Sequence, residues 1–161
     1  MSATTRLLFC ALAIGILCQS AFAQDSSIKP NEIELRAFEQ TNLVRVKNGL
    51  PPFVWDDDIS RLARSHSENM SRLGFFSHVT PDGKRLPDRA RAAGIRRYSV
   101  LGENIAYNQG FEDPGALAVE RWMLSPKHRA NILSSEFRAM AIGSYVAPDG
   151  SVYLTQTFIK R

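Results

Sequence analysis

The clearest hydrophobic pattern in the chain lies between Ile59 and Leu73. Apolar residues and one histidine recur there at the three- and four-residue spacing that places side chains on one side of a helix. The aspartates Asp56–Asp58 precede the pattern and suit the positive end of a helix, and Gly74 follows it, as C-terminal glycines often do. We therefore predict an amphipathic helix. Its buried side carries Ile59, Leu62, Ala63, His66, Met70 and Leu73.

An earlier helix is predicted between Asn31 and Asn48. Asn31 is followed three residues later by Glu34, the spacing of a capping box, and Gly49 follows the last helical residues. Asn42 lies within the apolar stripe of this helix, so we expect a buried amide that hydrogen-bonds to loop backbone. The predicted buried side consists of Leu35, Phe38, Asn42, Leu43 and Val46.

The middle of the chain mixes extended and helical signals. Leu50–Trp55 contains two prolines and cannot be helical, so it is predicted to be an extended connector. Short helices are predicted for Pro87–Ala93 and after the cap-and-proline pairs Asp113-Pro114 and Ser125-Pro126. Between them, Val100–Tyr107 reads as a strand. One face of that strand carries Leu101, Glu103, Ile105 and Tyr107.

The C-terminal third predicts a β-hairpin. Met140–Val146 and Ser151–Ile159 alternate in polarity, and the turn sequence Ala-Pro-Asp-Gly at residues 147–150 joins them. Gln156 shares a face with apolar residues of the second strand and must find a polar partner inside the fold. The predicted fold class is α+β, in which a small antiparallel sheet is flanked by helices.

The first 23 residues have the pattern of a signal peptide. Arg6 gives a basic start, Leu7–Leu17 is apolar but too short to span a bilayer, and Ala21-Phe22-Ala23 forms a small-x-small cleavage site. We predict cleavage after Ala23 and a protein that is secreted or periplasmic, not an integral membrane protein. The predicted organisation is a signal peptide at 1–23, an N-terminal tail at 24–32 and one domain at 33–161.

Composition narrows the chemistry of that domain. Both cysteines, Cys10 and Cys18, fall within the predicted signal peptide, so the exported domain has no disulfide, no cysteine nucleophile and no cysteine-ligated zinc. The whole chain has 20 Lys and Arg against 16 Asp and Glu, a formal net charge of +4, and cleavage would remove Arg6. This mild excess favours a soluble monomer and predicts no nucleic-acid partner.

Polar residues in apolar or loop surroundings are the candidates for chemistry. Glu103 lies in the apolar row of its strand, where a carboxylate must be paired, protonated or bound to a cation. His78 lies in a loop beside the turn Thr80–Gly83, and His128 lies in the first turn of a predicted helix. His66 lies on a buried stripe, where a hydrogen-bonded core residue is the expected role.

Ser125 and the basic stretch Lys84–Arg97 each admit two interpretations. Ser125 precedes His128 by three residues, a spacing that invites a nucleophile with an adjacent base. The simpler interpretation is an N-cap before Pro126, with the hydroxyl oxygen bound to backbone N–H groups. The basic stretch is either a solvated face or a surface that binds an anionic partner, such as lipid headgroups or wall polymer.

Eight short segments resemble, in order, the CAP superfamily of cysteine-rich secretory proteins, antigen 5 and pathogenesis-related proteins, and most of all its bacterial branch. They extend from about Ile33 to Phe158, and their order makes the resemblance specific. The segments are N-x-x-R (Asn42 to Arg45), GLPPFVW, HSENM, FFSH, PDG, GENIAY, W-x-x-SPKHRANIL and YLTQTF.

The resemblance implies a three-layer α-β-α sandwich with a shallow cleft lined by two histidines and two acidic residues. His78, Glu103 and His128 match three of these positions, whereas Ser125 stands where the eukaryotic members have a second glutamate. The disulfides of the eukaryotic members are missing, so packing and buried polar groups must keep the fold rigid. The residues predicted to be structural are Asn42, Arg45, His66, Asn104, Asn131 and Gln156.

The resemblance leaves the activity of the cleft open. His78, Glu103 and His128 would supply three ligands for a divalent cation such as zinc, with one open position, and folding would not require the metal. They could equally form a polar cluster that only braces the fold. Family members bind sterols or other lipids, so the leading hypothesis is an extracellular binding module for a lipid, a cell-envelope component or an extracellular protein. The alternative is a metal- or serine-assisted, protease-like hydrolase in the same cleft, for which no catalytic residue is assigned.

Overall fold

The computed structural model describes residues 30–161. The predicted signal peptide and residues 24–29 of the predicted tail lie outside the described residues. Helices and strands alternate along the described part of the chain. They are α1 (Glu32–Lys47), β1 (Val54–Trp55), α2 (Asp57–Arg72), α3 (Leu86–Ala92), β2 (Val100–Gln109), α4 (Pro114–Leu124), α5 (Pro126–Ile132), β3 (Ala139–Val146) and β4 (Ser151–Lys160).

The strands form one sheet in the order β1-β3-β4-β2. β3 and β4 are the predicted hairpin, and β2 pairs antiparallel with the other side of β4. β1 pairs parallel with β3, through Val54 with Ala139 and Trp55 with Met140. The α+β fold class is confirmed, and the end of the extended connector adds a parallel edge strand that makes the sheet mixed.

Helices cover both faces of the sheet, which confirms the three-layer sandwich. α2 and α3 pack on one face around a cluster that includes Ile59 and Ile159. α1, α4 and α5 pack on the other face around a larger cluster, in which Trp122 is 1% exposed. The Trp122 Nε1–H donates to the carbonyl of Ile105 at 2.9 Å, so its polar atom is satisfied while the ring is buried.

Side-chain caps begin three of the helices. Asn31 Oδ1 accepts from the Glu34 N–H at 3.0 Å and Glu34 Oε2 accepts from the Asn31 N–H at 3.0 Å, which confirms the predicted capping box of α1. Asp56 caps α2, and Asp113 caps α4 by accepting from the Ala116 N–H at 2.8 Å. These bonds satisfy N–H groups that the first turn of a helix leaves without partners.

The buried side of α1 differs from the prediction. Leu35 is 43% exposed, Leu43 is 51% exposed and Val46 is 58% exposed, so the predicted apolar stripe largely faces solvent. The buried side lies next to it and is mostly polar. It carries Glu34, Ala37, Thr41 and Arg45.

Partners far along the chain explain this polar burial. The Arg45 guanidinium donates to the carbonyls of Ile132 at 2.7 Å and Ser134 at 2.9 Å. The Glu34 carboxylate accepts from the Ser144 N–H at 3.0 Å, at the edge of β3. Because these buried charges are hydrogen-bonded to other elements, they do not carry the cost of unpaired polar groups.

α2 lies directly against β3 at Gly143. A Cβ at this position would overlap the backbone of Ala63 and Arg64, so only glycine allows the approach. Ser67 Oγ donates to the Gly143 carbonyl at 2.8 Å across the same contact. This contact fixes α2, and with it His66, over the sheet.

Candidate functional site

The edge strand β2 carries the buried carboxylate at the centre of the site. Glu103 faces α2 and α3 and is 9% exposed. Arg89 of α3 donates from Nη2 to Glu103 Oε1 at 3.0 Å and to Oε2 at 2.8 Å. A buried carboxylate must be paired, protonated or bound to a cation, and in this structure Glu103 is paired with Arg89.

His78 binds the same carboxylate from the loop that follows α2. Its Nδ1 lies 2.9 Å from Glu103 Oε1, and its side chain is 49% exposed. Because a carboxylate only accepts hydrogen bonds, Nδ1 carries the proton in this contact. Arg89 Nη2 also donates to the His78 carbonyl at 3.2 Å, so one guanidinium links the loop to β2.

Opposing effects set the pKa of Glu103. Burial raises this pKa because it penalises the charged form. The hydrogen bond from His78, the charge of Arg89 and the proximity of His66 act in the other direction and outweigh burial, so the pKa lies below its ordinary value. The carboxylate is therefore ionised near neutral pH, which makes it a good anchor and a weak general base.

His66 lies behind this cluster on α2 and is 1% exposed. Its Nε2–H donates to the Ser77 carbonyl at 3.0 Å, and Nε2 lies 3.9 Å from Glu103 Oε1. Nδ1 has no hydrogen-bond partner among residues 30–161. Burial lowers the pKa of His66 more than the Glu103 charge raises it, so the ring is neutral at pH 7. His66 thus supports the loop that carries His78.

A chain of amides connects α5 to the sheet and to α1. Asn131 Nδ2 donates to Asn104 Oδ1 at 2.8 Å, and Asn104 Nδ2 donates to Gln156 Oε1 at 2.9 Å. Gln156 Nε2 then donates to Thr41 Oγ1 at 2.9 Å. Asn104 Nδ2 also donates to the His128 carbonyl at 3.2 Å, which fixes the start of α5. Such a connected network ties together the four elements that it joins, α5, β2, β4 and α1.

Asn42 and Arg45 hold the connector that follows α1. The Asn42 side chain donates to the Phe53 carbonyl at 3.1 Å and accepts from the Phe53 N–H at 2.8 Å. The Arg45 guanidinium lies over the Phe53 ring, with Cζ 3.6 Å from the ring centroid. The hydrogen-bond partners of both residues are backbone groups of other segments, so these contacts are structural.

Ser125 and His128 lie at the junction of α4 and α5. Burial lowers the pKa of His128, and a positive charge on His78 acts in the same direction. Ser125 is the N-cap of α5, as predicted, and has the extended backbone of that position, but its hydroxyl group makes no capping hydrogen bond. Ser125 also ends α4, where its N–H donates to the Trp122 carbonyl at 3.2 Å.

A cavity of about 660 Å³ opens between the end of α2, the strand β2 and the α4–α5 junction. Its polar lining groups are Arg121, Ser125 and His128. We call it the aromatic cavity, because rings form most of its wall. Those apolar wall residues include Phe75, Phe76, Ile105, Tyr107, Trp122 and Tyr153.

The aromatic cavity has exposed rings on its wall. Phe76 is 52% exposed and Tyr107 is 42% exposed. The ring centroids of Phe76 and Tyr107 lie 6.4 Å apart, and those of Tyr107 and Tyr153 lie 5.1 Å apart. Adjacent exposed rings of this kind, continuous with a concave apolar wall, are typical of ligand-binding surfaces.

The predicted cleft residues are divided between two neighbouring cavities. His78 and Glu103 are hydrogen-bonded to each other and line a smaller cavity of about 340 Å³. His128 and Ser125 line the aromatic cavity, which lies further along β2 at Ile105 and Tyr107.

Glu103, the carboxylate that a divalent cation would need here, is already occupied by hydrogen bonds. Both oxygens of Glu103 accept hydrogen bonds from Arg89, and Oε1 also contacts His78. In the described part of the chain, no group of three or more His, Asp or Glu side chains is placed so as to hold a metal ion. A cation here would have to displace Arg89 or share the carboxylate with it.

The sequence analysis missed Arg89, which it placed only within the basic stretch Lys84–Arg97. A signal was present, because the helical repeat places Arg89 between Leu86 and Ala90 on the buried side of α3. An arginine between two inward-facing apolar residues needs a buried anion, and Glu103 is such an anion.

Comparison with known proteins agrees with this fold. The profile of the family described as the cysteine-rich secretory protein family, CAP, matches residues 38–158. The chain belongs to this family.

Several relatives are bacterial. The uncharacterized membrane protein YlbC of Bacillus subtilis is 38% identical over 128 residues, which are 80% of this chain and 34% of that protein. An extracellular protein of Bacillus anthracis with an SCP domain has a TM-score of 0.69 and 30% identity, over 80% of this chain and 40% of that chain. The chain therefore spans about a third of the curated relative and two fifths of that structure.

A more distant structure shares the fold alone. An outer surface protein of Borrelia burgdorferi has a TM-score of 0.70 at 20% identity, over 83% of this chain and 96% of that chain. Both structural neighbours are thus extracellular or surface proteins. Within residues 30–161, no helix combines the length and the apolar character needed to cross a membrane.

Proposed function

We propose that this protein is an extracellular binding module whose aromatic cavity takes the apolar part of an amphiphilic molecule from the cell envelope. The observation that carries the proposal is the continuous wall of rings from Phe76 through Tyr107 and Tyr153, together with Trp122. A cavity of about 660 Å³ is within the size range of small-molecule sites. Burial of an apolar chain against these rings would supply affinity in proportion to the area removed from water.

The polar lining of the aromatic cavity favours a ligand with a polar or anionic head group. Arg121 contributes a positive charge, and its guanidinium lies 5.5 Å from the ring centroid of Phe111. Ser125 and His128 add a hydroxyl group and a largely neutral imidazole. Charge-assisted hydrogen bonds to such a head group would orient the ligand, while the rings hold its apolar part.

The cluster of His66, His78, Arg89 and Glu103 acts in this proposal as a frame. His66 holds the Ser77 carbonyl and Arg89 holds the His78 carbonyl, so the loop that begins with Phe75 and Phe76 is attached to α2 and β2. A ligand then meets rings that are already in place, which lowers the entropy cost of binding.

The hydrolase alternative has less support. A serine nucleophile needs a base in hydrogen-bond contact, and within the described residues the Ser125 side chain makes no hydrogen bond. Glu103 has a lowered pKa and is bound by Arg89, so it is a weak candidate for a general base.

A weak, reversible divalent site remains a proposal that is secondary to binding of the amphiphile. His78, Glu103 and His128 would hold the cation, which would act there as a Lewis acid or as a structural link. Because Arg89 competes for Glu103, affinity should be modest. Protonation of the imidazoles should also weaken it as pH falls.

Calorimetric titration with dodecanoate, below the concentration at which it forms micelles, tests the amphiphile proposal. The Phe76→Ala variant should bind about tenfold more weakly, because it removes a ring from the cavity wall. Leu43→Ala is the control, since Leu43 is 51% exposed on α1 and does not line the aromatic cavity. Unchanged affinity in Phe76→Ala, or no binding heat in the wild type, would refute the proposal.

A further inference from the structure

The basic stretch Lys84–Arg97 separates into two classes of residue. Arg89 is buried on Glu103, and Lys84 forms an ion pair with Asp82 at 2.8 Å. The remaining guanidinium groups are exposed and form no salt bridge with any residue in the range 30–161. They belong to Arg85, Arg91, Arg96 and Arg97.

The geometry of α3 explains why neighbouring arginines differ. Leu86, Arg89 and Ala90 lie on the side of α3 that packs against the sheet. Arg91 is two residues beyond Arg89, about 200° around the helix, so it faces solvent. Arg96 and Arg97 follow in the exposed loop after Gly94. The acidic groups nearest in sequence are Asp88, whose carboxylate accepts from the Arg85 N–H at 3.2 Å, and the paired Asp82.

Apolar groups lie beside these charges. Val79 is 38% exposed, and it lines the 340 Å³ cavity together with Arg85, Leu86 and Pro87. Solubility alone does not explain an exposed apolar fissure beside an arginine that forms no salt bridge. Arginine forks beside exposed apolar groups suit an interface that has phosphate on one side and hydrocarbon on the other.

We propose that this basic surface, formed by Arg85, Arg91, Arg96, Arg97 and Val79, docks on a bilayer of anionic phospholipid. Charge complementarity supports this partner, because four exposed arginines lie within residues 85–97, in α3 and the segments on either side of it. Guanidinium groups bind phosphate in a bidentate manner, and Val79 with the adjacent fissure can enter the interfacial region. A wall polymer would satisfy the charges and leave the apolar groups without a partner.

Docking in this way would place His78 and the 340 Å³ cavity close to lipid. His78 is the neighbour of Val79, and it lines the same fissure as Arg85. The inference does not depend on what the aromatic cavity binds, because it rests on a different surface.

Vesicle flotation tests the proposal. The purified full chain is mixed with vesicles of phosphatidylcholine alone, or of phosphatidylcholine with about a third phosphatidylglycerol. The wild type should float with the anionic vesicles at low salt and much less at about 0.3 M NaCl, because salt screens exposed charges. Residues 1–29 are the same in every variant, so any affinity of the apolar run Leu7–Leu17 for lipid cancels.

The decisive variant is Arg91→Gln/Arg96→Gln/Arg97→Gln, which should bind anionic vesicles about 100-fold more weakly. The matched control, Lys47→Gln/Arg61→Gln/Arg72→Gln, removes the same charge from exposed residues elsewhere and should lose far less affinity. Equal losses in the two variants would overturn the proposal, as would equal binding to neutral vesicles. Binding of soluble polyphosphate with no binding of anionic vesicles would also overturn it, in favour of a polymer.

Discussion

Arg89 and Glu103 form a buried ion pair in which a single nitrogen, Nη2, donates to both carboxylate oxygens, at 3.0 and 2.8 Å. The side chains are only 7% and 4% exposed. Arg89 Nε and Nη1 have no hydrogen-bond partner among the residues described. The guanidinium is therefore almost completely desolvated, and its hydrogen-bond partners are one carboxylate and one carbonyl. Removal of either charged side chain would leave the other buried without its counter-charge.

Replacement of Arg89 should test that dependence. Arg89→Met leaves Glu103 buried without its main partner, and the free energy of unfolding in urea should fall by about 3–5 kcal/mol. The double variant Arg89→Met/Glu103→Gln should recover much of this loss, because it also removes the buried charge. Arg91→Met is the control and should change stability by less than about 0.5 kcal/mol. Equal, small effects at both arginines would show that the pair is not important for folding.

Stability should decline as pH falls below about 6.5. Burial lowers the pKa of both His66 and His128 from the ordinary value of 6.5. The unfolded chain therefore binds more protons than the folded chain below that pH, and the free energy of unfolding decreases until the folded-state pKa values are reached. Glu103 adds a second decline at lower pH, since its stabilisation is present above the ordinary pKa of 4.5 and is lost as pH falls through its lowered pKa.

The variant His66→Gln isolates the contribution of His66 to the loss of stability at acidic pH. Glutamine keeps an N–H donor for the Ser77 carbonyl but does not titrate, so the variant should be less stable at pH 7.5 and should lose less stability between pH 7.5 and 5.5. Urea unfolding at pH 7.5, 6.5 and 5.5 measures both effects. A decline as steep as that of the wild type would exclude His66 as a source of the acid sensitivity.

Substitutions at Trp122 and Ser125 distinguish a structural role from a catalytic role. Trp122→Ala should destabilise the protein by about 3–5 kcal/mol, because it leaves a cavity in the main core. Ser125→Ala should cost less than about 0.5 kcal/mol, since the hydroxyl group makes no capping bond. Assays with peptide and ester substrates provide the second readout. If Ser125→Ala keeps full stability and abolishes a measurable hydrolysis, the binding-module proposal is replaced by the enzyme.

The secondary metal proposal predicts weak binding of zinc at pH 7.5 that decreases at pH 5.5, because protonated imidazole cannot be a ligand. Titration calorimetry should show loss of binding in His78→Ala and in His128→Ala. His66→Ala should mainly reduce stability. Heats that do not differ between the wild type and the double variant His78→Ala/His128→Ala would leave the hydrogen-bonded cluster as the only role of these residues.

Elements whose apolar pattern and caps are local could be predicted from the sequence. The helix α2, the capping box at Asn31 and the hairpin of β3 and β4 are of this kind. The buried side of α1 could not be predicted, because Arg45 is buried by carbonyl groups of Ile132 and Ser134, nearly ninety residues away. No pattern within the helix contains that information.

Only part of the candidate site could be predicted, because its other contacts also join residues that are distant in the sequence. The contact between His78 and Glu103 was expected from the family resemblance, which carries information about distant contacts. Arg89 was hidden among exposed arginines of similar sequence, and only the packing of α3 distinguishes it from Arg91. Ser125 occupies the N-cap position that the local rule predicts, although its hydroxyl group makes no capping hydrogen bond.

The chain carries an internal reference that tests whether the aromatic cavity binds the ligand. It has two tryptophans, Trp122 on the cavity wall and Trp55 at the opposite edge of the sheet, where Nε1 donates to Asp57 Oδ1 at 2.9 Å. Two indole N–H signals in a proton–nitrogen NMR spectrum therefore report separately on the cavity and on the rest of the fold, and Trp55→Phe assigns them.

The direct measurement is a titration of the wild type with dodecanoate, followed by these two signals. The Trp122 indole signal should shift and saturate while the Trp55 signal stays fixed. If neither signal moves, or if both move together, the aromatic cavity is not the binding site.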